Sequence, residues 1–274
     1  ALHANTVAFV AVKEDGGLIT WGHPDCVTHS GIVAEHISSG VVTVIPSKMS
    51  FAALKSRGAV ISWGTKACNT LDSQPVAKQL QSEVVSVHSN EHAFAAVKIG
   101  GQVVTWGLPN RGGDSHSVTD QLKSDVVKIY HTSFAFAALK EHGMVVTWGN
   151  KLHGGDSSAV RDQLSSDVAT VYSNASVFAA LKLGGGVVTW GMTSWGGDSS
   201  SARENLMSGV KAIYPNQASF AALKDSGQVV CWGHKADCGD ISPVASQLLS
   251  GVAAIYPSLA AFTALKEDGQ VVTW

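Results

Sequence analysis

The chain has 274 residues, of which 45% are hydrophobic and 15% are charged, and it is therefore long and apolar enough to bury a large core. No apolar run approaches the roughly 20 residues of a membrane-spanning helix, and the composition excludes a disordered chain. The net charge of −2 gives little drive toward nucleic acid or anionic lipid. We therefore expect a soluble, packed protein with no nucleic-acid partner and no membrane insertion.

The four cysteines form no C-x-x-C pair and are few for a disulfide-rich secreted scaffold. They are Cys26, Cys68, Cys231 and Cys238. Cys26 and Cys68 occupy the same place in neighbouring repeats, but stacked sheets lie about 10 Å apart, beyond the roughly 4.4 to 6.8 Å of bonded Cα atoms. We expect free thiols. With no visible signal peptide, they favour an intracellular location, although the compartment is left open.

A repeat of 42 residues, with one step of 43, organises the chain. Three residue types recur in this register. The phenylalanines are Phe9, Phe51, Phe94, Phe136, Phe178, Phe220 and Phe262. The tryptophans are Trp21, Trp63, Trp106, Trp148, Trp190, Trp232 and Trp274, and the lysines are Lys13, Lys55, Lys98, Lys140, Lys182, Lys224 and Lys266. Since the seventh copy stops at its Trp and the chain lacks an initiator Met, we expect a segment of a longer protein.

Each repeat predicts three strands, which are clearest in the last copy. Val252 to Tyr256 is β-branched, Ala261 to Lys266 is apolar, and Val271 to Trp274 follows a turn whose Gly269 suits a positive φ. The apolar runs do not alternate, so both faces of each sheet are expected to be buried. In the linker, Pro243 behind Ser242 predicts the start of a helix of one or two turns.

Small antiparallel sheets repeated at about 40 residues and buried on both faces are typical of a β-propeller. We therefore predict an all-β, seven-bladed β-propeller forming a single domain over residues 1–274, with three to four antiparallel strands per blade and a short helix or turn in the linkers. Closure into a ring would make the first and last blades neighbours. The blade cores are expected near 1–22, 41–64, 84–107, 126–149, 168–191, 210–233 and 252–274.

The core of the unit resembles the repeats of the regulator-of-chromosome-condensation family. Its A-L-x-x-D-G-x-V-x-x-W-G pattern is matched by Ala11-Val12-Lys13-Glu14-Asp15-Gly16-Gly17-Leu18-Ile19-Thr20-Trp21-Gly22 and by Ala264 to Trp274. The resemblance covers all seven units and implies a seven-bladed propeller. It also implies an alternative function, guanine-nucleotide exchange or other GTPase regulation. Exchange by the founding member depends on an inserted wedge, for which uniform 42-residue spacing leaves no room.

Recurrent residues are interpreted as framework rather than as sites. The repeated tryptophans are expected in the core and the lysines in solvated turns, offset by neighbouring acidic residues. The acidic residues Asp72, Asp114, Asp156, Asp198 and Asp240 recur singly in the linkers, so turn or helix-cap duty is favoured over calcium binding. No metal-binding, nucleophile or phosphate-loop motif stands out, and we predict neither a cofactor nor an enzyme.

Positions that differ between copies are free of the framework and available for recognition. They cluster in the loop after W-G and in the loop between the first two strands, which antiparallel connectivity puts on one face. The leading prediction is a non-catalytic protein-binding or scaffold propeller with Trp195 as an exposed anchor; a carbohydrate-binding propeller using loop aromatics is the other alternative. The predicted partner-binding residues are Trp195, Arg111, His153, Lys48, Met49, Glu91 and His92.

Overall fold

The computed structural model describes residues 1–27, 37–64, 76–238 and 241–274. Each repeat folds into one three-stranded antiparallel sheet whose strands lie in sequence order, giving seven such sheets, here called blades one to seven. The predicted fold class, all-β with seven propeller blades, is confirmed. The described parts of the linkers contribute helical turns rather than a fourth strand. No helix among the described residues is long and apolar enough to span a membrane.

Two compact units divide the chain, the first formed by Ala1–Phe136 with Trp148–Asn150 and the second by Ala137–Thr147 with Lys151–Trp274. In blades one to three the strands are Leu2–Ala4, Ala8–Val12, Leu18–Gly22, Val41–Pro46, Ser50–Lys55, Val60–Gly64, Val84–Ser89, Ala93–Lys98 and Val103–Gly107. In blades four to seven they are Val126–His131, Ala135–Lys140, Val145–Gly149, Val168–Ser173, Val177–Lys182, Val187–Gly191, Val210–Pro215, Ser219–Lys224, Val229–Gly233, Val252–Pro257, Phe262–Lys266 and Val271–Thr273.

The linkers hold short helical turns. The α-helical turns are Pro24–Val27, Arg203–Leu206 and Lys235–Cys238, and the 3₁₀ turns are Pro109–Arg111, His116–Leu122, Lys151–His153, Ser158–Leu164, Thr193–Trp195, Ser200–Ala202 and Ala245–Leu248. The predicted start at Pro243 is wrong, because the helical turn begins at Ala245 with Val244 before it. Pro243 instead lies in the preceding turn, where its fixed φ is equally well accommodated.

Cross-strand pairing brings the repeated Phe and Trp together. Phe178 lies opposite Trp190 in blade five, for example, and the two rings stack with centroids 5.3 Å apart. We call the side of a blade that carries this pair its aromatic face. The opposite side, the small face, carries the alternate positions of the second strand, such as Ala221 and Leu223 in blade six. Stacked pairs of this kind occur in all seven blades.

The core lies between blades that follow one another in the chain. In the first unit, Ala8 and Val10 from the small face of blade one pack in one buried cluster with Phe51, Ala53 and Trp63 of blade two. Close packing of this kind requires small residues on one face and large ones on the other, which explains why alanine recurs on the small face of the second strand. The core assignment is thus confirmed for the internal tryptophans, but it is wrong for Trp21, which is exposed on blade one.

The turn glycine and three of the repeated aspartates adopt the predicted turn roles. Gly269 adopts φ +87° as predicted, and Asp114, Asp156 and Asp198 each accept a hydrogen bond from the backbone N–H two residues later, as turn residues. Asp72, Asp240 and Cys68 lie outside the described residues.

The repeated lysines are not merely solvated. Lysines of blades five to seven donate through Nζ to a carbonyl of the preceding helical turn, where the helix dipole favours a cation. These bonds are Lys182 to Gln163, Lys224 to Asn205 and Lys266 to Gln247, at 2.6 to 2.9 Å.

Candidate protein-binding face

The loop between the first and second strands is built around one asparagine in blades three, five and six. In blade three, Oδ1 of the buried Asn90 accepts hydrogen bonds from the backbone N–H groups of His92 and Ala93 at 2.9 and 2.8 Å. Asn174 and Asn216 form the same turn in blades five and six. An Asn side chain that imitates a backbone turn fixes this loop tightly, so the residues on it are held in place before any partner arrives.

The same asparagines join the two variable loops of one blade. Asn90 Nδ2 donates to the carbonyl of Arg111 at 2.7 Å, and Asn174 Nδ2 donates to the carbonyl of Trp195 at 3.1 Å. Each acceptor ends a 3₁₀ turn that follows the W-G sequence. Both variable loops therefore lie at the same end of the blade.

Backbone hydrogen bonds also connect the first-to-second-strand loops of successive blades in the first unit. Lys48 donates its N–H to the carbonyl of Glu91 at 3.2 Å, and Glu91 donates to the carbonyl of Ser133 at 3.3 Å. Thr6 Oγ1 donates to the carbonyl of Lys48 at 2.5 Å. Loops from blades one to four thus form one continuous surface, and a partner could contact several of them at once.

Side chains of blades three and four form an aromatic and cationic cluster on this surface. The Arg111 guanidinium lies 3.8 Å from the centroid of the Phe134 ring, and the His92 ring stacks with Phe134 at 5.6 Å. Stacking holds the guanidinium flat, and its N–H donors then point past the edge of the ring. A carboxylate brought to that edge would meet donors that are already oriented.

An ion pair extends the cluster to blade two. Lys48 Nζ lies 3.0 Å from Glu91 Oε2, which is 3.8 Å from His92 Nε2. Burial pushes the pKa of Glu91 upward, but hydrogen bonds from Lys48 and Ser133 and the positive charge of Lys48 hold it below the ordinary value overall. The pKa of His92 is lowered, first by burial and then by Arg111 and Lys48, although Glu91 opposes this. At neutral pH the face therefore carries two cations, Lys48 and Arg111. It also carries one anion, Glu91, and the neutral imidazole of His92.

Five of the seven predicted residues belong to this surface in the first unit, which we call the loop face. It comprises Lys48, Met49, Glu91, His92 and Arg111, together with Phe134. Met49 is half-buried in the turn beside Lys48. The sequence did not single out Phe134 or the turn asparagines. The latter carried a detectable signal, since Asn, Ser or Thr recurs at the equivalent position of every repeat (Asn5, Ser47, Asn90, Thr132, Asn174, Asn216 and Ser258).

The other two predicted residues lie in the second unit. Trp195 is half-buried and packs against the cluster that contains Phe220 and Trp232, so the expectation of an exposed anchor is wrong. The physical reason is that Met192 and Trp195 are three residues apart and share one side of a helical turn, which places both on the core. His153 Nδ1 lies 2.8 Å from Ser176 Oγ, again joining a W-G loop to a strand loop.

Several solved structures are similar to this chain. No protein-family model and no curated protein matches the chain. The ectodomain of the receptor kinase CR4 from Physcomitrella patens is 12% identical, with a TM-score of 0.47. The match covers 100% of this chain and 71% of that one. The CRINKLY WD40 ectodomain of ACR4 from Arabidopsis thaliana is 12% identical (TM-score 0.45; 97% and 92% covered). A chain in the crystal structure of Kap60 bound to yeast RCC1 (Prp20) is 16% identical, with a TM-score of 0.48, and the match covers 85% of this chain and 69% of that one. We transfer no property from these proteins.

Proposed function

We propose that this chain is a non-catalytic binding module whose loop face contacts a protein partner. The observation that carries the proposal is the stacking of Arg111 on Phe134 within a surface joined across blades by hydrogen bonds. Arg and aromatic residues dominate the energetics of protein interfaces, and a preformed surface loses little conformational entropy on binding. The partner surface we expect is an acidic side chain beside an apolar group, placed for Arg111 and Phe134.

The ionisation of the loop face supports binding rather than catalysis. Lys48 and Ser133 keep Glu91 ionised, whereas a general acid at neutral pH requires a raised pKa. His92 stays neutral and stacked on Phe134. The arrangement suits charge complementarity at the rim of an interface, where Lys48 and Glu91 would set orientation and association rate.

We also propose that the unit is a short, divergent form of the regulator-of-chromosome-condensation repeat. The support is the repeated Trp with its turn glycine in all seven copies, as in Lys266 to Gly269, where the glycine adopts φ +87°, and the Gly that follows the Trp in six of them. GTPase regulation is not part of the proposal.

The test compares matched arginine variants in affinity capture from source lysate, followed by quantitative mass spectrometry. Arg111→Ala should reduce the captured partner by more than about 30-fold, and Arg111→Lys should recover little, because an ammonium cannot reproduce the stacked, forked donor. Arg161→Ala is the control, since Arg161 is exposed in the linker turn Ser158–Leu164. Equal capture by wild type and Arg111→Ala would rule out the loop face as the binding surface.

A further inference from the structure

A groove runs along the third strand of blade five, and all of its lining residues belong to the second unit. It has a volume of about 560 Å³, and residues 186–189 line it together with parts of the linkers before and after the blade. The equivalent strand residues of blade three, 102–105, line a groove of about 620 Å³. The groove is therefore a feature of the repeat, and its volume is in the range of ligand-binding sites.

The strand beside this groove is an edge strand. Among the described residues, the sheet of blade five hydrogen-bonds its third strand, Val187–Gly191, to the second strand only. Phe178 lies opposite Trp190, and the equivalent residues of blade seven exchange both backbone hydrogen bonds. In such a ladder the intervening residues turn their N–H and C=O groups away from the partner strand, so those of Val187 and Thr189 point to the outer edge.

This edge is suited to an extended peptide. Propeller blades typically have four strands, whereas blade five has three, and its groove lies where a fourth strand would pair. An edge strand presents a row of backbone donors and acceptors, to which a peptide of a partner can add as a further strand. Backbone pairing would then give affinity, and the side chains around the groove would give selectivity.

Charged side chains along the groove favour an acidic segment. Arg203 is exposed and takes part in none of the ion pairs between described residues. Lys182 donates through Nζ to the carbonyl of Gln163 at 2.9 Å, which leaves two of its three N–H donors for a ligand. Asp198 is the opposing charge, but its Oδ1 already accepts a hydrogen bond from the backbone N–H of Ser200 at 2.9 Å.

We propose that this groove binds an extended segment of a partner protein as a fourth strand of blade five, and that the segment carries alternating acidic and apolar side chains. Successive side chains of a strand point to opposite sides, and each side of the groove offers a cation and an apolar group. Lys182 and Val160 lie toward the preceding linker, and Arg203 and the 71% exposed Met207 lie on the following one. This second binding surface shares no residue with the loop face.

Fluorescence anisotropy with labelled peptides tests the proposal. A peptide of about seven residues that alternates Val and Glu should bind the wild-type chain with a Kd below about 1 mM. The same peptide N-methylated at every interior residue should bind at least about 10-fold more weakly, because it cannot donate to the strand edge. Equal affinities for the two peptides, or the absence of binding by the parent peptide, would overturn the proposal.

Charge reversal on the chain then locates the site. Arg203→Glu should weaken binding of the Val–Glu peptide at least about 10-fold and strengthen binding of a Val–Lys counterpart. Lys211→Glu is the matched control, because Lys211 is exposed on the first strand of blade six, and it should bind like wild type.

A third variant separates this groove from the loop face. Arg111→Ala should bind the peptide like wild type, whatever its effect on partner capture. Wild-type affinity of Arg203→Glu for both peptides, or loss of peptide binding in Arg111→Ala, would contradict the assignment. Circular dichroism verifies folding, and the methylated peptide tests the strand pairing even if Arg203→Glu unfolds.

Discussion

The Phe–Trp pairs of blades one and four have the same local structure and different surroundings. Phe136 and Trp148 stack at 5.4 Å and are at most 2% exposed, whereas Phe9 and Trp21 stack at 5.6 Å and are 43% exposed. Trp148 also donates through Nε1 to the carbonyl of Gly112 at 3.0 Å. Strand pairing and ring stacking are therefore properties of one repeat, while burial depends on the neighbouring blade and linker.

The largest difference between the two pairs should appear on truncation of the tryptophan. Trp148→Ala should destabilise the chain by about 3–5 kcal/mol, since it removes a buried ring and leaves a cavity. Trp21→Ala should cost only about 1–2 kcal/mol, because its ring is already partly hydrated. Urea unfolding of dilute samples measures both. Equal losses of unfolding free energy would show that the two rings have the same environment.

A glycine beside the blade-four pair sharpens the comparison. Gly112 has φ +102°, and a Cβ there would lie 2.6 Å from Phe136 Cδ2, whereas Gly100 has φ +81° and would place its Cβ in open space. Gly112→Ala combines backbone strain with a clash and should cost about 2–4 kcal/mol; Gly100→Ala has the strain alone and should cost about 1 kcal/mol. Thermal and urea unfolding measure the stability of both variants. A larger loss of stability in Gly100→Ala than in Gly112→Ala would contradict this expectation.

The turn asparagines give a smaller difference between blades. Asn90 is buried and bonds to His92, Ala93 and the Arg111 carbonyl, so Asn90→Ala should cost about 1–3 kcal/mol. Asn5 makes a similar turn in blade one but is less buried, and Asn5→Ala should cost about 1 kcal/mol or less. Only the Asn90 variant should also weaken partner capture. Unchanged capture by a folded Asn90→Ala protein would show that the Asn90 turn does not position the loop face for binding.

Two equivalent histidines give a difference that depends on pH. Burial, followed by the charges of His131 and Lys128, lowers the pKa of His88 to about 4. The folded chain therefore binds fewer protons than the unfolded chain, whose histidines titrate near 6.5, and stability should fall as the pH drops from about 6.5 toward 4. His88→Gln should flatten this slope more than His3→Gln, although burial and the N-terminal charge also lower the pKa of His3. Unfolding midpoints across this pH range decide the order.

The repeat predicted most of the fold because strands depend on local pattern. The expected strands Val252 to Tyr256 and Ala261 to Lys266 match Val252–Pro257 and Phe262–Lys266 to within one residue. The exposure of Trp21 could not be predicted in this way. Its repeat context is nearly the same as that of buried copies, and only the neighbouring blade distinguishes them.

The candidate site was less predictable because its members come together through tertiary contacts. Arg111 was singled out as a variable loop residue, but its partner Phe134 lies in the next blade, outside the repeated Phe register. Trp195 lies outside the repeated Trp register and was therefore predicted to be exposed. Its three-residue spacing from Met192 indicates instead that both residues share the buried side of one helical turn.

The most direct test of the difference between blades is fluorine NMR of the chain labelled with 5-fluorotryptophan, with the Trp21 and Trp148 resonances assigned from Trp→Phe variants. A soluble paramagnetic agent should broaden Trp21 strongly in a dilute sample and leave Trp148 sharp, because only the first ring is exposed. A Trp21 resonance as sharp as that of Trp148 in the most dilute sample would contradict the account, since the two rings would then be equally protected from solvent.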